Sequence, residues 1–361
     1  MPSFDRLKPF NSLPDLPPKI NFESPDLLKN SIKAQRLLGE LKGSCLRLPD
    51  PKLLINTIML QESKDSSAIE NIVTTQDELY RAVIQIDDRV SPATKEVLRY
   101  REALYHGVEM VEHKGLTTNT LVSIMQKIKN TTQEIRKGAG TRLLNPNTNE
   151  IIYTPPEGDD LIRKKLFALE KFIHADYKGL DELIKMSLVH YQFEAIHPFA
   201  DGNGRTGRIL NVLFLVHQKL LSIPVLYLSS FIVKNKSDYY RFIRNVTEKQ
   251  EWKPWIMYMQ NAVAETAELT LHKIEEVMRL KEHLAKTVKE VLKNTYSSEL
   301  VDLMIKFPYL KINLLERNDI AKRQTASVYL QKLAKAKLLE PMRFGKEIYY
   351  INHRLVNLFA R

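Results

Sequence analysis

Residues 197–208, HPFADGNGRTGR, hold three of the chain's 12 glycines, and no other stretch limits the fold as strongly. Glycine at 202 and 204 frees the backbone where a helix carrying the apolar run ILNVLFLVHQ must begin. The twelve residues therefore read as a turn that feeds a buried helix. On both sides long segments place apolar residues at helical spacing, which predicts a mostly α chain.

Ser24 as N-cap, Pro25 at the first helical position and Gly43 as stop predict the first helix. LPDPKLLINTIMLQESKDSSAIEN predicts a second, interrupted by a polar break near Ser66. Helices follow over 76–87, 92–113, 117–130, 159–175, 181–195, 235–250 and 253–287. Residues 1–22 are too rich in proline to be helical and read as an extended arm. GAGTRLLNPNTNEIIYTPP sets turn residues between two β-favouring runs, which predicts a hairpin over 138–156. The tail, with LLERNDIAKRQTASVYLQKLAKAKLLE followed by MRFGKEIYYIN, predicts a helix-turn-helix and a hairpin closed at Phe344–Lys346, a winged-helix pattern. These shifts divide the chain into 1–95, 96–262, a connecting helix over 263–294, and 295–361.

Eleven net positive charges suggest an anionic partner, and their placement says more. Residues 296–361 carry twelve Lys or Arg against six Asp or Glu, so six of the eleven lie in the tail. Two readings of the tail stand open, a protein-docking module, or a DNA-binding one with Thr325–Lys337 as the reading helix and Arg343–Lys346 as the wing. The lone Cys45 excludes an internal disulfide and reads as a small core residue. The arm MPSFDRLKPFNSLPDLPP lacks the apolar core of a secretory signal. ILNVLFLVHQKLLSIPVLYL is broken by Asn211, His217, Gln218, Lys219 and Pro224 and reads as buried helix plus loop, not a membrane span. The expected location is cytoplasmic.

The chemistry of the glycine–arginine stretch follows from its residue types. Bare N–H groups of Gly202, Asn203 and Gly204 at a helix start form an anion site that a phosphate can approach closely. Arg205 and Arg208, three apart, emerge roughly 60° apart on one helix face and suit two further phosphates. Thr206 and Gly207, lying between them, complete the phosphate-binding set. Asp201 is the carboxylate a Mg²⁺ ion would need beside a polyphosphate. His197, held by Pro198, is the general base, because neutral imidazole accepts a proton near pH 7. Together these residues suit in-line attack on a nucleotide phosphate. Taken singly, each has a blander reading as a turn, a basic helix start or a structural histidine. The stretch is neither a GxxxxGK[ST] loop nor a GxGxxG turn. His106, His113, His174, His190 and His217 show no metal-ligand spacing, with His190 placed on the helix before the motif.

HPFADGNGRTGR resembles, at every specified position, the HxFx[DE]GNGRxxR signature of Fic-domain protein adenylyltransferases. The likeness to multi-domain bacterial members extends over most of the chain. It implies a Fic helical bundle with a β-hairpin flap, followed by a winged-helix domain. It also implies transfer of AMP from ATP to a Ser, Thr or Tyr hydroxyl of target proteins, the chain itself among them, with release of pyrophosphate. By that resemblance His197 is the base and Asp201 the Mg²⁺ ligand, Gly202–Gly204 cradle the α-phosphate, and Arg205 and Arg208 hold the β- and γ-phosphates. Phe199 anchors the loop. Glycine at 204 matters, since phosphate-transferring relatives of the Doc type carry lysine there. Tyr239 and Tyr240 match the aromatic pair of the base pocket, and Ile152 and Tyr153 the flap residues that clamp the target. SSAIEN, residues 66–71, resembles the family's inhibitory motif, which makes Glu70, supported by Ser66, a carboxylate that occupies the γ-phosphate's place on Arg208. The same glutamate supports removal of AMP in some relatives. A different nucleotide donor, a DNA-binding regulator and a homodimer are the readings left open.

Overall fold

The computed structural model describes residues 4–46, 48, 52–84, 90–145, 148–345 and 347–360. Parts of five sequence expectations lie outside these residues: the start of the arm over 1–22, the opening of LPDPKLL, the end of the helix over 76–87, the centre of the NPNTN turn, and Lys346 of the wing.

Two helices form the middle of the bundle, α7 (Glu182–Ile196) and α8 (Asn203–His217). Of the 15 residues in α7, 13 are buried, as expected of a helix that is apolar all round. Asp181 caps it, its carboxylate accepting from the backbone N–H of Leu183 at 2.9 Å and of Ile184 at 3.2 Å. Around this pair pack α4 (Pro92–Lys114), α5 (Thr118–Lys129), α6 (Asp159–His174), and α2 (Lys52–Ile69) with α9 (Leu228–Lys234). On the outer side α1 (Pro25–Leu46) lies along the 41-residue α11 (Trp252–Leu292), with α10 (Lys236–Lys249) beside it. Trp255, fully buried, ties α11 to α7 by donating from its indole to Ser187 O at 2.8 Å.

Four expectations need correction. Gly43 does not stop α1, which runs on to Leu46. The polar break near Ser66 is absent. Helix α2 continues to Ile69 because its polar residues are buried and bonded, Ser63 Oγ to Met59 O at 2.5 Å and Glu62 to Ser229. The apolar run after α8 contains a further helix, α9. The division at 262/263 falls inside the unbroken α11.

The hairpin is small: β1 (Leu143–Leu144) pairs antiparallel with β2 (Ile151–Tyr153). The arm before α1 runs past its exit, with Phe10 N donating to Thr154 O at 3.0 Å and Thr154 Oγ1 to Arg6 O at 2.7 Å. Phe4 stacks on Tyr153 at 5.9 Å between ring centroids.

Past α11 come α12 (Ser298–Lys306), β3 (Tyr309–Leu310), α13 (Ile312–Arg317), α14 (Arg323–Lys335), and a hairpin of β4 (Glu340–Phe344) and β5 (Glu347–Ile351), closed by α15 (His353–Ala360). The antiparallel sheet has order β3-β5-β4, and the element order is that of a winged helix. Gly345, at φ +61°, turns the hairpin. This part packs on α3 (Gln76–Ile84). Tyr309 donates from its hydroxyl to Asp77, the Tyr80 and Tyr309 rings lie 5.6 Å apart, and Arg81 sits 4.5 Å over the Phe344 ring. Among the described residues no helix is long and apolar enough to cross a membrane.

Candidate active site

His197 ends α7 in the left-handed region, φ +51°, and its N–H still donates to Phe193 O at 3.0 Å. Five residues on, Gly202 (φ +86°) turns the chain into α8. Asn203 closes the loop between them. Its side-chain oxygen accepts from Phe199 N at 2.9 Å and its amide donates to Phe199 O at 2.8 Å. Phe199 itself is buried and packs on Phe193 at 6.1 Å. A residue the sequence did not flag, Arg136, fixes the loop from outside. Its guanidinium donates to His197 O at 2.8 Å, Ile196 O at 3.3 Å and Pro156 O at 2.5 Å, binding the loop to the hairpin's exit strand.

The two arginines face different carboxylates. Arg208, 1% exposed, donates from Nε to Ser66 Oγ at 2.8 Å, and from one terminal nitrogen to Ser66 O at 2.8 Å and to Glu70 at 2.9 Å. The Glu70 carboxylate lies over the bare backbone of Gly204, where any Cβ would strike it. An anion thus occupies the start of α8, as N–H groups and helix dipole favour. Burial would raise the Glu70 carboxyl, but Arg208 outweighs it and holds the group below the usual range. Arg205 pairs with Glu96, and Lys129 joins Glu96 at 3.1 Å to Asp201 at 2.7 Å. Glu96 and Lys129 also escaped the sequence reading, because their partners lie on other helices.

Two adjoining cavities meet at Glu70, His197 and Gly204. The smaller, about 320 Å³, is walled by Glu96, Lys129, Asp201, Gly202 and Arg205. The larger, about 450 Å³, runs past Glu194, Tyr239, Tyr240 and Thr247 towards Ile152, Tyr153 and Phe4. His197 Nδ1 is shut from solvent and, among the described residues, makes no hydrogen bond of full geometry, although the Glu194 backbone lies close enough to favour the charged ring. Burial, with Arg136 adding to it, pushes the imidazole down to about 4, so it is neutral near pH 7.

Most predicted site residues converge here, and three take other duties. Thr206 and Gly207 line neither cavity. Thr206 is buried with its N–H on Gly202 O at 3.0 Å. Gly207 is bare because a Cβ would strike the Glu194 carboxylate and lie 3.1 Å from Phe193. Tyr153 borders the larger cavity, but its hydroxyl donates to Ala195 O at 2.8 Å and its ring stacks on Phe4, so it is fixed in the wall. Ile152 is the more open of the pair. Tyr239 is buried. Burial lowers His190 to about 3, leaving it neutral, and its Nδ1 donates to Gly207 O at 3.1 Å. Nε2 therefore accepts from the Tyr239 hydroxyl at 2.8 Å, and Tyr239 offers the cavity its ring face. Tyr240, 42% exposed, stands edge-on to it at 5.2 Å.

Asp201 offers a carboxylate that is 64% exposed in the smaller cavity. Among the described residues no three His, Cys, Asp or Glu side chains group as a metal site. One carboxylate facing an anion site fits Mg²⁺ bound largely through phosphate oxygens and water.

Three family models match the chain. The Fic/DOC family N-terminal model covers residues 28–109, the Fic/DOC family model 115–215, and the C-terminal domain of SoFic-like protein adenylyltransferases 280–355. Residues 115–215 thus carry a match to the Fic/DOC family model, flanked on both sides by models of Fic-associated domains. It is 22% identical over 228 residues to protein adenylyltransferase Fic of Nematostella vectensis, covering 61% of this chain and 50% of that protein. A probable protein adenylyltransferase of Aquifex aeolicus is 38% identical over 71 residues, 20% of each. The chain thus spans half or less of these relatives' length. A solved Fic family protein from Desulfovibrio desulfuricans shares the fold at TM-score 0.59 and 18% identity, over 93% of this chain and 98% of its own. Fic-1 of C. elegans gives 0.52 and 18% over 71% and 75%.

Proposed function

We propose that this chain is a protein adenylyltransferase that moves AMP from ATP to a Ser, Thr or Tyr hydroxyl of a protein, and that Glu70 holds it inhibited. One observation carries the reading: a neutral histidine stands beside a glycine-lined helix start, whose buried arginine is neutralised by a carboxylate set where a phosphate would bind. Relatives named as protein adenylyltransferases support the same activity.

In this reading the nucleotide's base lies on Tyr239 and Tyr240, and its phosphates run over Gly202, Asn203 and Gly204. The backbone N–H groups there hold the α-phosphate. The Asn203 side chain serves by keeping the loop closed. His197 takes the proton of the target hydroxyl as its oxygen attacks the α-phosphorus, and pyrophosphate leaves. Asp201, released from Lys129, would hold Mg²⁺, which when bound offsets the phosphate charge. Arg208 receives the γ-phosphate only when Glu70 leaves it, while Arg205 approaches from the other side. Ile152, on the hairpin edge, meets the target backbone as an added strand would.

Intact-mass measurement after incubation with Mg²⁺ and ATP tests this. The Glu70→Gly chain is expected to gain AMP units, the native chain few, and Glu70→Gly/His197→Ala none. Equal incorporation by native and Glu70→Gly chains would remove the inhibition. No incorporation by any of them, with a target-protein extract also unlabelled, would remove AMP transfer from ATP. GTP, CTP and UTP run in parallel separate the donor from the reaction.

A further inference from the structure

Glu194 lies one helical turn before His197 in α7 and has no partner that explains it. Its side chain lines the larger cavity with His197, Gly204, Tyr239 and Tyr240. Oε1 is shut from solvent and, among the described residues, has no hydrogen-bond partner. Arg208 is close enough to act on it electrostatically, yet its hydrogen bonds go to Ser66 and Glu70. Burial, opposed by Arg208, pushes the carboxyl up to about 7. The chain also clears space for it, since any side chain at Gly207 would collide with this carboxylate. Buried polar groups are nearly always hydrogen-bonded, and an unsatisfied one costs free energy. A carboxyl seated against a bared helix, with Oε1 given no protein donor, is held for a ligand's donors.

The cavity says which donors. Phosphates belong at Gly204 and His197, and the base at Tyr239 and Tyr240. Glu194 shares the wall of this cavity with Gly204 and His197 at one end and with Tyr239 and Tyr240 at the other. In a nucleotide the sugar spans that gap, and ribose presents two neighbouring hydroxyls that a carboxylate oxygen on the cavity side can accept. We infer that Glu194 is the specificity-determining residue for the sugar, accepting hydrogen bonds from the ribose hydroxyls of the bound nucleotide. The inference rests on the nucleotide reading above and deepens it.

Calorimetric titration of full-length chains with ATP, 2′-deoxy-ATP, 3′-deoxy-ATP and purine riboside triphosphate tests it, with Mg²⁺ present. The chains are Glu70→Gly alone and combined with Glu194→Ala or Glu194→Gln. With Glu194 in place, removing a sugar hydroxyl should weaken binding roughly tenfold or more, the size of a hydrogen bond to a charged acceptor. With alanine, ATP should fall to the level of its deoxy forms and the discrimination should vanish. Glutamine, nearly isosteric and still an acceptor, should keep part of it, which separates recognition from damage to the fold. Purine riboside triphosphate, lacking the base amine, should lose affinity equally in the Glu194 and alanine chains. An unchanged ratio of ATP to deoxy-ATP in the alanine chain overturns the inference. So does an equal loss for ATP and its deoxy forms, or a base-amine effect confined to Glu194. If no chain binds any nucleotide, the nucleotide reading itself falls, and this one with it.

Discussion

His197 shows how far one side chain's setting moves its chemistry. A base works when neutral, and an exposed histidine would be half protonated near pH 6.5. With its pKa lowered to about 4, His197 stays unprotonated well below that, and in Glu70→Gly it loses a carboxylate that favours its charged form. AMP incorporation by Glu70→Gly should therefore show no acid limb between about pH 5.5 and about 8. A half-maximum near pH 6.5 would show that the bound state re-solvates the ring. Stability moves the other way. His190 and His197 have lowered folded pKa values, about 3 and about 4, so their contribution is complete above the unfolded value near 6.5. It is lost as pH falls from about 6.5 towards the folded values, because the unfolded chain takes up protons the folded one refuses. Glu62 and Glu194, raised by burial to about 7, change in the opposite sense down to about pH 4.5, so melting temperature should drop chiefly below that pH. Gly207 gives a packing prediction. Gly207→Ala places a Cβ against Glu194 and Phe193, and overpacking of this kind costs about 1–3 kcal/mol in denaturant unfolding. A neutral result would mean the Glu194 side chain can swing clear.

At the scale of elements, the proposed inhibition would draw its strength from α2. Its last turn presents Ser66 and Glu70, four apart and so on one face, to a single arginine. Ser66→Ala keeps the ion pair but leaves Arg208 Nε without its acceptor. Incorporation by that chain should lie between native and Glu70→Gly, and a rate equal to native would show that the hydroxyl adds nothing to the hold. The sequence made this face legible only through the family likeness, since Ser66 and Glu70 alone are an unremarkable polar spacing. The turn into α8, the hairpin and most helix spans could be read directly, because glycine, turn residues and apolar period are local signals. Lys129, Glu96 and Arg136 could not, for each takes its meaning from a partner on another element. Glu194 was within reach: a carboxylate three residues before His197 shares its helix face. The unbroken α2 was hidden because Glu62 and Ser63 look like surface residues and are buried.

Across the whole molecule, α11, about 60 Å long, packs on α1 and α7 near one end and on α12, α14 and α15 towards the other. The second link between these parts runs through the segment that follows Glu70. Asp77, Tyr80 and Arg81 share one face of α3 and all touch the C-terminal part, through Tyr309 and Phe344. Helix α3 begins five residues after Asn71, and α12 also packs on α2. The wing residue Phe344 is thus engaged within the chain. Loosening this contact should let α2 withdraw Glu70 more often, raising activity without touching the site. Each contact is worth about 1 kcal/mol, so Tyr309→Phe/Phe344→Ala should raise AMP incorporation by the native-Glu70 chain up to roughly thirtyfold. The same double change in Glu70→Gly should leave the rate where it was, since nothing remains there to release. A rise on both backgrounds would point to a direct effect on the site. No rise on the native background, with melting showing the contact weakened, would make the C-terminal contact purely structural.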